Sequence, residues 1–214
     1  MKLLIAKLIL CSGVLCFGVG AQAQSSPKPA APTHKASTVA GRTECVQPVG
    51  LCVTVPSSWQ RLGDVFEGLG FVVSESRPGP GVDPATWPQI TVAAMDVPEK
   101  KDGGGAPSLD SLVDTVLTPG GSFTSETLQR TRLLLNGNEA EIVRIREHDE
   151  GSKTDVIEAV ALIVGDDGLV YSIALRCPPQ DFTRLEPIFQ KTVHSWRVKP
   201  PAPESQSTQD SEKK

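Results

Sequence analysis

Histidine is in short supply here: there are three in 214 residues, and His34 sits among Pro, Ala, Ser and Lys, leaving His148 and His194 where the chain can fold. A nucleophile–histidine relay or a histidine-based zinc centre therefore has little to draw on. Ser57 and Ser58 follow Pro56 without the flanking glycines of a G-x-S-x-G elbow, which puts them in a turn rather than in an esterase. The Gly103–Gly105 run lacks the following Lys-Ser/Thr of a phosphate loop, and the "GDDG" of residues 165–168 lacks the spaced carboxylates and closing Glu of a calcium hand. Internal repeats of solenoid or propeller period are absent as well.

Positive charge is also scarce. The formal net charge is −4; Lys2 and Lys7 are the only charges in residues 1–23, so the remainder carries 19 basic against 25 acidic side chains, or −6. Nucleic acid and anionic membrane surfaces reward clustered Lys and Arg, so neither is expected as a partner. The longest apolar run, Leu8 to Val19, is too short and too Gly-interrupted for a membrane span, which needs about 20 apolar residues.

What that run does fit is an export signal. Lys2 and Lys7 charge its start, and Ala21-Gln22-Ala23 is the small-x-small pattern cut by a signal peptidase. A lipoprotein signal fits less well, since Leu10 precedes Cys11 and Leu15 precedes Cys16 where a small residue is wanted. Residues 1–23 are read as a signal peptide and 24–42 as a disordered Pro/Ala/Ser linker. Residues 43–199 make a single domain, and 200–214 a disordered tail. The expected location is periplasmic or secreted after cleavage near Ala23.

Inside the domain, strand-like segments come first: Glu44–Gln47 as a short partner, then Leu51–Val55, Val65–Ser74 and Ile90–Val97. "APSLDSLVDTVL" reads as a helix capped by Ser108, with Leu109, Leu112, Val113 and Val116 on one face. "TLQRTRLLL" and "EAEIVRIRE" flank Asn136-Gly137, a tight-hairpin signal, and "TDVIEAVALIVG" and "LVYSIALRC" continue as a four-strand meander. A last helix is placed around "RLEPIFQKTVHSW", starting near Glu186 because Pro187 is tolerated only in a first turn. This order gives an α+β fold: an antiparallel sheet covered by two main helices, whose choice of face stays open.

Three cysteines lie beyond residue 23. With Pro48 and Val49 central to a turn, Cys45 faces Cys52, and in an oxidising compartment the pair forms a disulfide. A staple is the reading adopted, because no neighbouring basic residue and no C-x-x-C helix start is there to lower a thiol pKa. Cys177 ends an apolar strand and is either a buried free thiol or an intermolecular bridge. His148 with Asp149 and Glu150 is read as a solvated turn rather than a metal site, and His194 as a residue near a helix end. Of the tryptophans, Trp59 and Trp196 belong to core or rim. Trp87, in a Pro-rich loop, is the candidate interface anchor. No catalytic residue, metal ligand or cofactor is assigned.

Taken together, the strand ending Pro56-Ser57-Ser58-Trp59, the helix opening Ser108-Leu109, the "NGNEAEI" hairpin and the closing His194-Ser195-Trp196 resemble the PsbP-like and Mog-type α/β/α sandwich family. The resemblance spans most of residues 45–197. It implies a binding or assembly factor rather than an enzyme, since one branch of the family steadies a photosynthetic complex and another binds a small GTPase. No functional residue of either branch maps onto a position here, and the paired cysteines and Pro-rich tails depart from the pattern. The function expected is an exported, non-catalytic binding or assembly module that acts on another envelope component, a protein. The alternatives are a small-ligand or metal carrier, or a hydrolase with a dispersed site of Asp, Glu and His148.

Overall fold

A computed structural model of the chain describes residues 40–77, 79, 87–96, 108–117, 123–150 and 153–199. Residues 1–39, read from the sequence as an export signal and most of a linker, the glycine run at 103–105 and the residues from Pro200, read as a tail, lie outside the described residues.

In chain order the elements are β1 (Gly41–Val46), β2 (Leu51–Pro56), β3 (Gln60–Val65), β4 (Gly70–Ser74), β5 (Gln89–Asp96), α1 (Leu109–Leu117), β6 (Phe123–Leu135), β7 (Asn138–Asp149), β8 (Thr154–Val164), β9 (Leu169–Cys177), α2 (Pro179–His194) and β10 (Arg197–Val198). Seven strands form one antiparallel sheet in the order β3-β4-β5-β9-β8-β7-β6, and β1-β2-β10 form a second, small one. The class is α+β.

The interior strand β8 is buried on both faces, which is why its sequence, TDVIEAVALIV, runs apolar instead of alternating. One face carries Ala159, Ala161, Ile163, Ile173 and Leu175 against Phe182, Leu185, Phe189 and Val193 of α2, with Val53 and Val55 of β2 in the same core. The other carries Val143, Ile145, Val160 and Leu162 against Leu109 and Val113 of α1. The two helices therefore pack on opposite faces of the large sheet, the point the sequence left open. Each of the Val, Leu, Ile and Phe side chains among these contributes about 1.5–3 kcal/mol by leaving water.

α1 forms where the sequence places it: Ser108 Oγ accepts the Ser111 N–H at 3.3 Å, and Asp110 sits at the positive end of the helix. Three boundaries differ from the sequence reading. α2 begins at Pro179, not near Glu186, so Pro187 lies in its middle. Pro178 and Pro179 suit a helix start. The run Phe182, Leu185, Phe189 and Val193 then buries a full apolar stripe, enough to offset a mid-helix proline that costs about 3 kcal/mol. Val65–Ser74 is not one strand but the end of β3, a turn, and β4. β1 starts at Gly41, inside the segment read as linker.

Candidate functional site

The β1–β2 hairpin turns through a single 3-10 turn, Gln47–Val49, and Gly50 at φ +65°. A Cβ at Gly50 would stand 2.0 Å from the Lys199 carbonyl oxygen, and the Lys199 N–H donates to the Gly50 carbonyl at 2.9 Å, so only glycine fits where the chain's last strand closes on its first turn. Cys45 pairs with Cys52 across the ladder, with Cα atoms 4.1 Å apart, and the two are bonded. Cys52 is buried and Cys45 half-buried. β10 brings Arg197 opposite Cys52 on the far side of β2. The sequence reading, which found no basic neighbour for the pair, is corrected at this point: the neighbour arrives from 145 positions downstream.

The Ser57–Ser58 turn is held by Arg42. Its Nη1 donates to the carbonyls of Ser57 at 2.8 Å, Pro56 at 3.3 Å, and Trp59, while its Nε meets Glu44 at 2.7 Å. Both serines are exposed in that turn, and Trp59 is buried beneath it. Trp87 is half-buried; its Nε1 donates to the Ser76 carbonyl at 3.0 Å, tying the two ends of the β4–β5 connection together. Trp196 is buried against Tyr171, with ring centroids 5.5 Å apart.

Register places His148 of β7 opposite Asp155 of β8, with Nδ1 2.6 Å from the carboxylate. That hydrogen bond, helped by the Asp155, Glu150 and Asp149 charges, raises the imidazole pKa above its ordinary value. His194 is exposed at the end of α2. In the β8–β9 turn, Asp167 accepts the Leu169 N–H at 3.1 Å and the Tyr171 hydroxyl, so its carboxylate is used in shaping the turn. Cys177 is a buried free thiol, and burial, with Asp181 nearby, pushes it up to about 12. Among the described residues no group of three or more His, Cys, Asp or Glu is arranged to hold a metal ion.

Two features escaped sequence reasoning. Glu141 is 1% exposed, on the α1 side of the sheet, and receives Arg130 Nε at 2.6 Å and Arg132 Nε at 3.2 Å; Arg132 also meets Asp110 of α1. Its signal was present, because a two-residue Asn-Gly turn sets Arg132 opposite Glu141. The second is the β3–β4 tip. Phe66 (φ +52°), Glu67 (φ +55°) and Gly68 (φ +89°) are three successive left-handed residues, closed by the Leu69 N–H donating to the Phe66 carbonyl at 3.0 Å. Left-handed backbone costs a side-chain-bearing residue about 1–2 kcal/mol. Phe66 lies outside both apolar clusters and is 42% exposed, so packing returns little of that.

The Ran-binding protein Mog1p of Saccharomyces cerevisiae superposes with a TM-score of 0.50 at 15% identity, over 75% of this chain and 96% of Mog1p. The solution structure of PsbP (CyanoP) from Synechocystis gives 0.51 at 12% identity, over 79% and 98%. LpqN, involved in cell envelope biogenesis of Mycobacterium tuberculosis, gives 0.50 at 14% identity, over 79% and 90%. The chain has the PsbP/Mog-type fold. No protein-family model matches it, and no curated protein matches it in sequence. At these identities the likeness concerns architecture, and the residues carrying function in one of these proteins do not transfer to another.

Proposed function

We propose that the PsbP/Mog-type domain described here is an exported, non-catalytic binding or assembly module, an α/β/α sandwich spanning about residues 43–199 that acts on another protein of the cell envelope. The observation that carries this reading is the fold itself: proteins sharing it include one named for binding Ran and one involved in envelope biogenesis. The Cys45–Cys52 bond supports an oxidising compartment, in line with the signal-like residues 1–23. No described helix is long and apolar enough to cross a membrane. In this reading Trp87 is the interface anchor. It is an aromatic on a surface connection, fixed at its base by the Ser76 carbonyl, so little side-chain freedom is lost on docking.

The test is in-cell crosslinking of the full chain in its own host, with mass-spectrometric identification of what is joined to it. One stoichiometric envelope protein is expected. No enriched partner over several crosslinker lengths, or a cytoplasmic location of the chain, would overturn the reading. Trp87→Ala should weaken capture of that partner in a chain that still folds, at a small cost in thermal stability from the lost tie to Ser76; a variant that unfolds instead would make Trp87 structural.

A further inference from the structure

Arg197, Cys52 and Cys45 form a row across three neighbouring strands, β10, β2 and β1. Residues directly opposite in antiparallel ladders present their side chains on the same face, about 4.5–5.5 Å apart at Cβ. The Arg197 guanidinium reaches further still: Nη2 donates to Thr43 Oγ1 at 3.2 Å, on β1 two residues from Cys45 and on the same face. It is thus carried from β10 over β2 to β1, the two strands that the disulfide joins. Its other contact is Nη1 to the Ser195 carbonyl at 3.3 Å. The other arginines set in strands and helices each meet a carboxylate. Arg197 meets two neutral oxygens among the described residues, so its charge stays available to an anion on that face.

The two sulfurs differ in access. Cys52 is 1% exposed, between Arg197 and Cys45, whereas Cys45 is half-buried on the outermost strand of its sheet. Thiol–disulfide exchange needs an incoming thiolate in line with the bond it breaks, and it speeds up as the leaving thiolate is stabilised. An approach past the outer edge of β1 meets Cys45 first and places Cys52 as the leaving sulfur, next to the guanidinium. A neighbouring Arg is one of the groups that lower a cysteine pKa.

We propose that Cys45–Cys52 is a thiol–disulfide exchange site for a dithiol, with Cys45 the sulfur attacked and Arg197 the cation that steadies Cys52 as it leaves. In the first step one thiolate of the dithiol bonds to the Cys45 sulfur, the Cys45–Cys52 bond breaks, and its electron pair leaves on Cys52. In the second, the dithiol's other sulfur, as thiolate, attacks its partner in the mixed disulfide and releases Cys45. The dithiol is oxidised to a disulfide, the bridge is reduced by two electrons, and the two protons lost by the dithiol end on the protein thiols or in solvent. The site goes beyond the binding role above and stands independently of it.

The experiment uses the full native chain with dithiothreitol at neutral pH and no denaturant, quenched by iodoacetamide and read by mass spectrometry. Labelling of Cys45 and Cys52 is expected while the chain stays folded and Cys177 stays unlabelled. Arg197→Gln should slow opening about fivefold or more, and Arg197→Lys should restore much of the rate. In Cys52→Ser, the Cys45 thiolate should attack oxidised glutathione and keep one glutathionyl group as a mixed disulfide, releasing the other as glutathione. A bridge that opens only at the rate of global unfolding, or an unchanged rate in a folded Arg197→Gln chain, would overturn the proposal. Should Arg197→Gln fail to fold by circular dichroism, Cys52→Ser decides: a Cys45 that takes up no glutathione sinks the idea, and one that does supports it.

Discussion

Two hairpins of the same sheet make their turns in the same left-handed backbone region with very different residues. Between β6 and β7 the turn is Asn136 (φ +51°) and Gly137 (φ +89°), the pair that such a turn favours, and Asn136 Nδ2 also donates to the Trp196 carbonyl. Between β3 and β4 the corresponding pair is Glu67 and Gly68, with Phe66 left-handed ahead of them. The first turn is a local choice that agrees with the fold around it. The second is imposed on residues that would not choose it, and β4's pairing with β5 holds it in place. Local consistency in the sequence is thus a guide to where folding is self-directed, and its failure marks where tertiary structure dictates.

The contrast can be broken or sharpened by substitution. The largest effect should come from the hairpin whose turn is ideal, through the carboxylate its register buries. Arg130→Ala with Arg132→Ala leaves Glu141 charged and unpaired at 1% exposure, which should cost about 3 kcal/mol in urea unfolding. A loss well under 1 kcal/mol would mean that solvent reaches Glu141. Next, Asn136→Glu imports the awkward residue into the favourable turn and removes the bond to Trp196; about 1–2 kcal/mol should be lost in the same assay. The reverse exchange, Glu67→Asn, should raise stability by about 0.5–1 kcal/mol, and a fall would show that Glu67 has a stabilising partner. The smallest effect is electrostatic. His148 has a raised pKa through Asp155, so its ionic contribution is complete below the ordinary histidine value near 6.5 and fades as pH climbs through the higher folded value. An NMR titration of His148 should show that upward shift, and Asp155→Asn should abolish most of it.

The same contrast sets what could be read in advance. The meander β6–β7–β8–β9 was legible because Asn136-Gly137 and Asp166-Asp167-Gly168 punctuate apolar runs, and the cysteine register was legible because the pair is seven positions apart, about a turn centred on Pro48 and Val49. β3 was not, since QRLGDV has neither alternation nor a buried run, and it earns its place only by pairing with β4. The early start of α2 was hidden by Pro187, whose local cost is real and is outweighed by four apolar residues buried against β2, β8 and β9. The placement of Arg197 opposite Cys52 was beyond reach for a plainer reason: nothing near Cys52 in sequence says that a two-residue strand from the far end will lie there.

The small sheet also has a mechanical consequence. β1 and β10 both run antiparallel to β2, so the described residues begin and end along the same central strand, in the same direction. Tension applied from outside at Gly41 and Lys199 would load that sheet in shear rather than unzip it. Without the covalent bridge, β1 could still slide off β2 as a unit. With Cys45 bonded to Cys52, force entering at Gly41 passes through sulfur into the middle of the domain, and the extensible length stops at residue 45.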